Sequence, residues 1–91
     1  MVPYRIELVP EAEESLAGLS LKQRQRIARK IDALAENPRP PNSKKLEGAA
    51  PPIYRVVSGD FRVLYQVHDK DLIVLVVRIG DRKNVYRRLP E

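Results

Sequence analysis

Arginine is the residue type most able to do chemistry in this sequence. Arg55, Arg62, Arg78, Arg82, Arg87 and Arg88 fall in its second half, Tyr86 stands among the last of them, and Lys44 and Lys45 precede them. A guanidinium is planar, stays charged at any relevant pH and donates two parallel hydrogen bonds, so several on one surface suit phosphate. A tyrosine beside them could stack on an unpaired base, which is how single-stranded RNA is commonly gripped. Spacing alone leaves a plainer reading open for each: arginines solvated or paired with carboxylates, and Tyr86 a packing residue.

Other chemistries find no residues to carry them. The chain has one histidine and no cysteine, which excludes disulfides and leaves no metal-ligand cluster. That histidine, His68, falls where a strand runs into a turn and reads as a surface residue. There is no glycine-rich phosphate loop and no persuasive Ser/His/Asp set, and no cofactor is implied. An enzyme built here would have to work with Arg, Lys, Tyr and scattered carboxylates. Those groups suit phosphodiester cleavage by the RNA's own 2′-hydroxyl, where the protein mainly orients the attack and holds transition-state charge. DNA lacks that hydroxyl.

The frame for these residues is small. Ninety-one residues suit one domain, 1–91, with a modest core. Seventeen Lys and Arg against twelve Asp and Glu give a net charge of +5, and the surplus sits in residues 41–91, ten basic against six acidic. Such an excess points to a polyanion or an acidic protein partner. The N-terminus, Met1-Val2-Pro3-Tyr4-Arg5, shows no secretory signal, and no run approaches the ~20 apolar residues of a membrane span, so a soluble cytoplasmic protein is expected. No repeat or low-complexity tract is visible.

The elements follow from periodicity. Tyr4 to Val9 alternates, with Tyr4, Ile6 and Leu8 on one face, and predicts a strand. Pro10 with Glu11, Glu13 and Glu14 behind it opens a short helix carrying Ala12, Leu16 and Leu19. Ser20 and Gln23 have capping spacing before a longer helix, Leu21 to Glu36, with Ile27, Ile31 and Leu34 inward and Lys22, Arg24, Arg26, Arg29 and Lys30 outward. Asn37-Pro38 ends it, and the segment from Pro38 through Lys44 and Lys45 reads as loop. Ile53 to Val57 and Phe61 to Val67 are strands about a turn at Ser58-Gly59-Asp60. Leu72 to Ile79 reads as a central strand covered on both sides, broken by Gly80-Asp81-Arg82, with Asn84 to Arg88 as a last short strand.

This order predicts an α+β domain: an N-terminal strand and a two-helix antiparallel hairpin packed on a mainly antiparallel sheet, one sheet face left open. Phe61, Val63, Tyr65 and Val67 should face the helices, and Arg62, Leu64 and Gln66 the open side, joined there by Arg55.

The run Ile53-Tyr54-Arg55-Val56-Val57-Ser58-Gly59-Asp60-Phe61-Arg62-Val63-Leu64-Tyr65-Gln66-Val67, the aliphatic strand closing on Arg78-Ile79-Gly80-Asp81-Arg82, and Val85-Tyr86-Arg87 together resemble the RelE/ParE superfamily of type II toxins. So do the opening Pro10-Glu11-Ala12-Glu13, the helix end Glu36-Asn37-Pro38-Arg39, and Lys45-Leu46-Glu47-Gly48. The RelE-like branch fits best. The resemblance implies the RelE-like microbial RNase fold and cleavage of messenger RNA in the ribosomal A site, without a metal, giving a cyclic phosphate and a free 5′-hydroxyl. Carried onto this chain, it implies catalytic roles for Arg55, Arg62, Arg82 and Tyr86. Lys44, Lys45, Arg78 and Arg87 would contact RNA. Val57 and Glu47 depart from the pattern, standing where basic residues are common. The partners implied are a cognate antitoxin, the ribosome with its messenger RNA, and operator DNA only through the antitoxin. A gyrase-directed toxin or a non-catalytic antitoxin-binding protein is the alternative.

Overall fold

The computed structural model describes residues 3–86. Its elements in chain order are β1 (Arg5–Leu8), α1 (Pro10–Ala17), α2 (Leu21–Glu36), β2 (Lys44–Leu46), β3 (Ile53–Ser58), β4 (Phe61–His68) and β5 (Ile73–Asp81). The strands form one sheet in the order β1-β5-β4-β3-β2. Every neighbouring pair is antiparallel except β1 with β5, so the expected mainly antiparallel α+β architecture is the one observed.

Both helices begin as the sequence indicates. Pro10 opens α1 with Glu11 and Glu13 in its first turn, and the Ser20 hydroxyl accepts from the Gln23 amide to cap α2. Asn37 ends α2 with extended backbone. The helices cover one face of the sheet, where Ala12, Ile27, Ile31, Leu34, Val56, Val63, Tyr65, Val74, Val76 and Ile79 form the main core. Tyr4, Ile6 and Leu8 pack against it, as their alternation predicts.

The Pro-rich connection after α2 is tied down by polar contacts. The buried Tyr65 hydroxyl donates to the Pro38 carbonyl at 2.7 Å, satisfying both groups away from water. Arg39 grips both Asp69 oxygens, at 3.2 and 2.9 Å, and its Nε donates to the Tyr54 hydroxyl. Tyr4 donates to the same Asp69 at 2.7 Å. Tyr54 in turn stacks on Tyr65 with centroids 5.8 Å apart.

Four expectations need correction. Lys44 and Lys45 lie in β2 rather than in a loop, because that segment pairs with Arg55 and Tyr54 of β3. The last long strand begins at Ile73, since Leu72 has φ 54° and belongs to the preceding turn, and it runs through Gly80 to Asp81, which still pairs with Phe61. Asn84 to Tyr86 is turn instead of strand, while Arg87 and Arg88 lie outside the described residues. The second sheet face is not open throughout: Ile53, Leu64 and Val85 form a small buried cluster there, with Leu46, Ala49, Val77 and Tyr86 against it.

A bulge in β5 arranges that second face. Leu64 pairs with Arg78 but Tyr65 pairs with Val76, leaving Val77 as one extra residue. Side chains alternate along a strand, so the extra residue reverses the phase. Val74 and Val76 face the helices before it, and Ile79 does so after it. Arg78 is thereby carried to the side of Leu64, away from the helices.

Candidate functional site

Directly paired residues share a sheet face, which locates the predicted site residues. One row across the sheet reads Lys44, Arg55, Leu64, Arg78; the next reads Val57, Arg62, Gly80. Lys44, Arg55, Arg62 and Arg78 therefore share the face turned away from the helices. Lys45 does not. It pairs with Tyr54, whose ring belongs to the main core's margin on the helical side.

Residues 82–86, which follow β5, fold back over this face. Asp81 orders that return: its carboxylate accepts from the Lys83 and Asn84 amides at 2.9 and 2.8 Å and from the Asn84 side chain at 3.0 Å. These bonds, those of Asn84 first, hold its carboxyl below the usual aspartate range. The Arg82 amide donates to the Asp60 carbonyl in the β3–β4 turn, setting exposed Arg82 beside the end of the sheet that carries Arg62. Val85 then enters the small cluster over Gly80, where even a methyl group on the glycine would lie 3.4 Å from it.

Tyr86 follows, and its hydroxyl accepts from Arg55 Nη1 at 3.2 Å. Arg55 Nε is buried and has no hydrogen-bond partner among the described residues. Arg62 Nη1 reaches the Gly59 and Phe61 carbonyls, each at 3.2 Å. Arg78, 17% exposed, donates to the Val85 carbonyl at 3.2 Å and lies 3.9 Å from Glu11. Its bond to the Val85 carbonyl holds the returning segment in place. Of the predicted residues, the structure thus gathers Arg55, Arg62, Arg78, Arg82, Tyr86 and Lys44, sets Lys45 apart, and does not describe Arg87.

Sequence reasoning passed over Asp81, Asn84 and Val85, the residues that deliver Tyr86. The Asp-x-x-Asn spacing was a usable signal, because an aspartate commonly accepts from amides two and three residues on. His68 pairs with Gln66 at 2.9 Å and lies away from this group, at the other end of β4.

A family model described as the ParE toxin of type II toxin-antitoxin systems, parDE, matches residues 6–86. The chain belongs to the RelE/ParE superfamily of toxins. An Escherichia coli protein described as a RelE-like toxin is 32% identical over 92 residues, spanning 97% of this chain and 95% of the relative. Two solved members of the RelE/ParE superfamily share the fold. The archaeal RelE–RelB complex of Pyrococcus horikoshii OT3 contains a chain 28% identical, with a TM-score of 0.78 over 91% of this chain and 99% of that one. The isolated RelE toxin of Escherichia coli is 26% identical, with a TM-score of 0.77 over 91% and 88%. Among the described residues, no helix is long and apolar enough to cross a membrane.

Proposed function

We propose that this RelE/ParE-superfamily toxin is a metal-independent, ribosome-dependent endoribonuclease that cuts messenger RNA in the A site, in the cytoplasm. One observation carries the reading: Arg55, Arg62 and Lys44 share one sheet face with Tyr86 folded over it and Arg82 at its end. The RNA 2′-oxygen attacks the adjacent phosphorus, its proton leaves, and the 5′-oxygen departs and is protonated, giving a cyclic phosphate. Arg62 neutralises the pentacovalent phosphate and Arg82 the leaving oxygen, each as a fixed charge. A guanidinium stays protonated and cannot take the 2′-proton. Of the four catalytic residues only Tyr86 offers a hydroxyl for proton exchange, and its ring gives the base a stacking surface. Lys44 holds the RNA backbone, and Arg78 fixes the segment that carries Tyr86.

The chain's relatives include a RelE chain solved with RelB, and this supports a cognate antitoxin as partner here, with any operator contact made by the antitoxin. Primer extension on a defined messenger RNA, in a purified translation system with ribosomes present or omitted, tests the nuclease reading. Cuts in A-site codons only with ribosomes present are expected. Intact transcript with folded protein would overturn it. The match to a ParE model makes inhibition of gyrase supercoiling the assay to run next in that case.

A further inference from the structure

Helix α2 is charged against its own dipole. The first turns carry Lys22, Arg24 and Arg26 with no acidic residue in the first turn, and the last turn has no basic residue and ends on Glu36. The N-terminal end of a helix favours anions, so this arrangement opposes helix stability. Lys22, Arg26, Arg29 and Lys30 fall within one arc of the helix surface at its natural period. Among the described residues none of the four has an ion-pair partner. A local rule broken without gain to the folded chain points to a use outside it.

A cavity continues the same surface. It measures about 190 Å³, between α2, the following loop and β3. Ala33, Leu34, Pro40 and Val56 give it mainly apolar walls, and Lys30 belongs both to it and to the cationic stripe. No aromatic ring lines it, so it offers an unpaired base no stacking platform. Its volume suits one aliphatic side chain. Cations beside an aliphatic socket complement a carboxylate-rich peptide better than a phosphodiester, which has nothing to place there.

We propose that α2 and this cavity form a docking surface for an acidic protein segment. One aliphatic side chain of the segment enters between α2 and β3, and its carboxylates lie along Lys22, Arg26, Arg29 and Lys30. The identity of the occupant as the antitoxin rests on the toxin reading above; the surface itself does not. It lies on the helical side of the sheet, opposite Arg55 and Arg62. A partner held only here leaves the arginine face uncovered, so silencing needs a second segment of the same partner.

The probe is a synthetic peptide of alternating Glu and Gly with one central Leu, titrated into isotope-labelled full-length protein and followed by amide NMR. Shifts are expected at Lys30, Ala33, Leu34 and Val56, with binding at least about tenfold weaker when the Leu is replaced by Ala, the factor one well-buried contact supplies. Ala33→Trp, an exposed position whose side chain would fill the socket, and the Arg26→Glu/Arg29→Glu pair should each weaken binding by a similar factor. Equal affinity for the Leu and Ala peptides would overturn the socket, and shifts confined to the Arg55 and Arg62 face would overturn the location. Displacement of the peptide from these residues by duplex RNA at lower concentration would assign the stripe to nucleic acid and overturn the proposal. Ribosomal cleavage is assayed on the same preparations. Loss of that activity in the unmodified chain, with peptide binding intact, removes the nuclease reading and leaves the docking surface standing.

Discussion

Arg55 Nη1 donates to the Tyr86 hydroxyl at 3.2 Å, joining the middle of the sheet to the segment that returns across it. The contact spans thirty-one residues of sequence and engages one donor of a guanidinium whose buried Nε has no partner among the described residues. A buried donor left unpaired is costly, and an arriving phosphate oxygen could relieve that cost. Arg55 therefore has two acceptors to choose between: the tyrosine in the free protein and a phosphate oxygen in the proposed RNA complex.

Tyr86→Phe and Tyr86→Ala separate the hydroxyl from the ring. Stacking on an aromatic ring contributes about 1–3 kcal/mol per base. Removing the ring should weaken RNA engagement about ten- to a hundredfold, beyond whatever loss the hydroxyl alone causes. Single-turnover cleavage on programmed ribosomes would measure both variants. Equal loss in the two would place the whole effect in the hydroxyl.

Arg62→Ala and Arg82→Ala should each lower the cleavage rate by about a hundredfold or more, the usual loss when one fixed donor to transition-state charge is removed. Their folding should be little changed, because Arg82 is exposed and the Arg62 guanidinium, among the described residues, hydrogen-bonds to the Gly59 and Phe61 carbonyls near the β3–β4 turn. Cleavage at the normal rate in both variants would dissolve the site assignment.

Asp81→Ala tests whether the returning segment is positioned rather than merely present. The substitution removes three acceptor bonds that set the turn, yet the carboxylate touches no RNA in the proposed chemistry. Cleavage should fall at least about tenfold with substrate affinity weakened in parallel, and Asp81→Asn should restore part of it, since an amide oxygen can still accept. A fall in activity matched by a global fall in melting temperature would show a folding effect instead.

Tyr65→Phe is expected to cost about 1–3 kcal/mol, because it strands the Pro38 carbonyl at a buried position. Denaturant unfolding would read this as a lower midpoint with unchanged slope. The change lies on the helical side of the sheet, so cleavage per folded molecule should be unaffected.

Acid should weaken the fold through two aspartates. Asp69 is held below its ordinary value chiefly by the Arg39 fork and then by the Tyr4 hydroxyl, and Asp81 by Asn84. A carboxyl whose folded-state value is lowered adds stability above its unfolded value, near 4, and loses it as the pH falls toward the folded value. Melting temperature followed from neutral pH to pH about 3 should drop below pH about 4, and the drop should be shallower in Asp69→Asn/Asp81→Asn. An identical acid profile in that variant would exclude both groups as its source.

Much of this was legible in the residues. Helix starts at Pro10 and Ser20, the alternation of Tyr4, Ile6 and Leu8, and the hairpin at Gly59, whose φ of 60° suits glycine, all follow from local rules that the tertiary structure leaves intact. The placement of Arg62 opposite Val63 follows from simple alternation. Lys44 and Lys45 misled because a three-residue edge strand has too few residues to show a period, and its pairing with β3 is a long-range fact. Leu64 was expected at the open face and is fully buried there, because Val85 arrives from a segment whose course depends on one Asp81 side chain.

The extra residue at Val77 gives the sheet a frame in the sense that a coding sequence has one. Strand β5 is in one phase where it meets β1 and in the opposite phase where it meets the arginines. Flattening the bulge into regular pleat with no residue removed would leave Val74 and Val76 seated but exchange the faces of everything downstream, turning Arg78 toward the helices and Ile79 toward the opposite face. No side chain proposed to act on RNA would have been altered. The bulge is then as much a determinant of the site as the identity of its arginines.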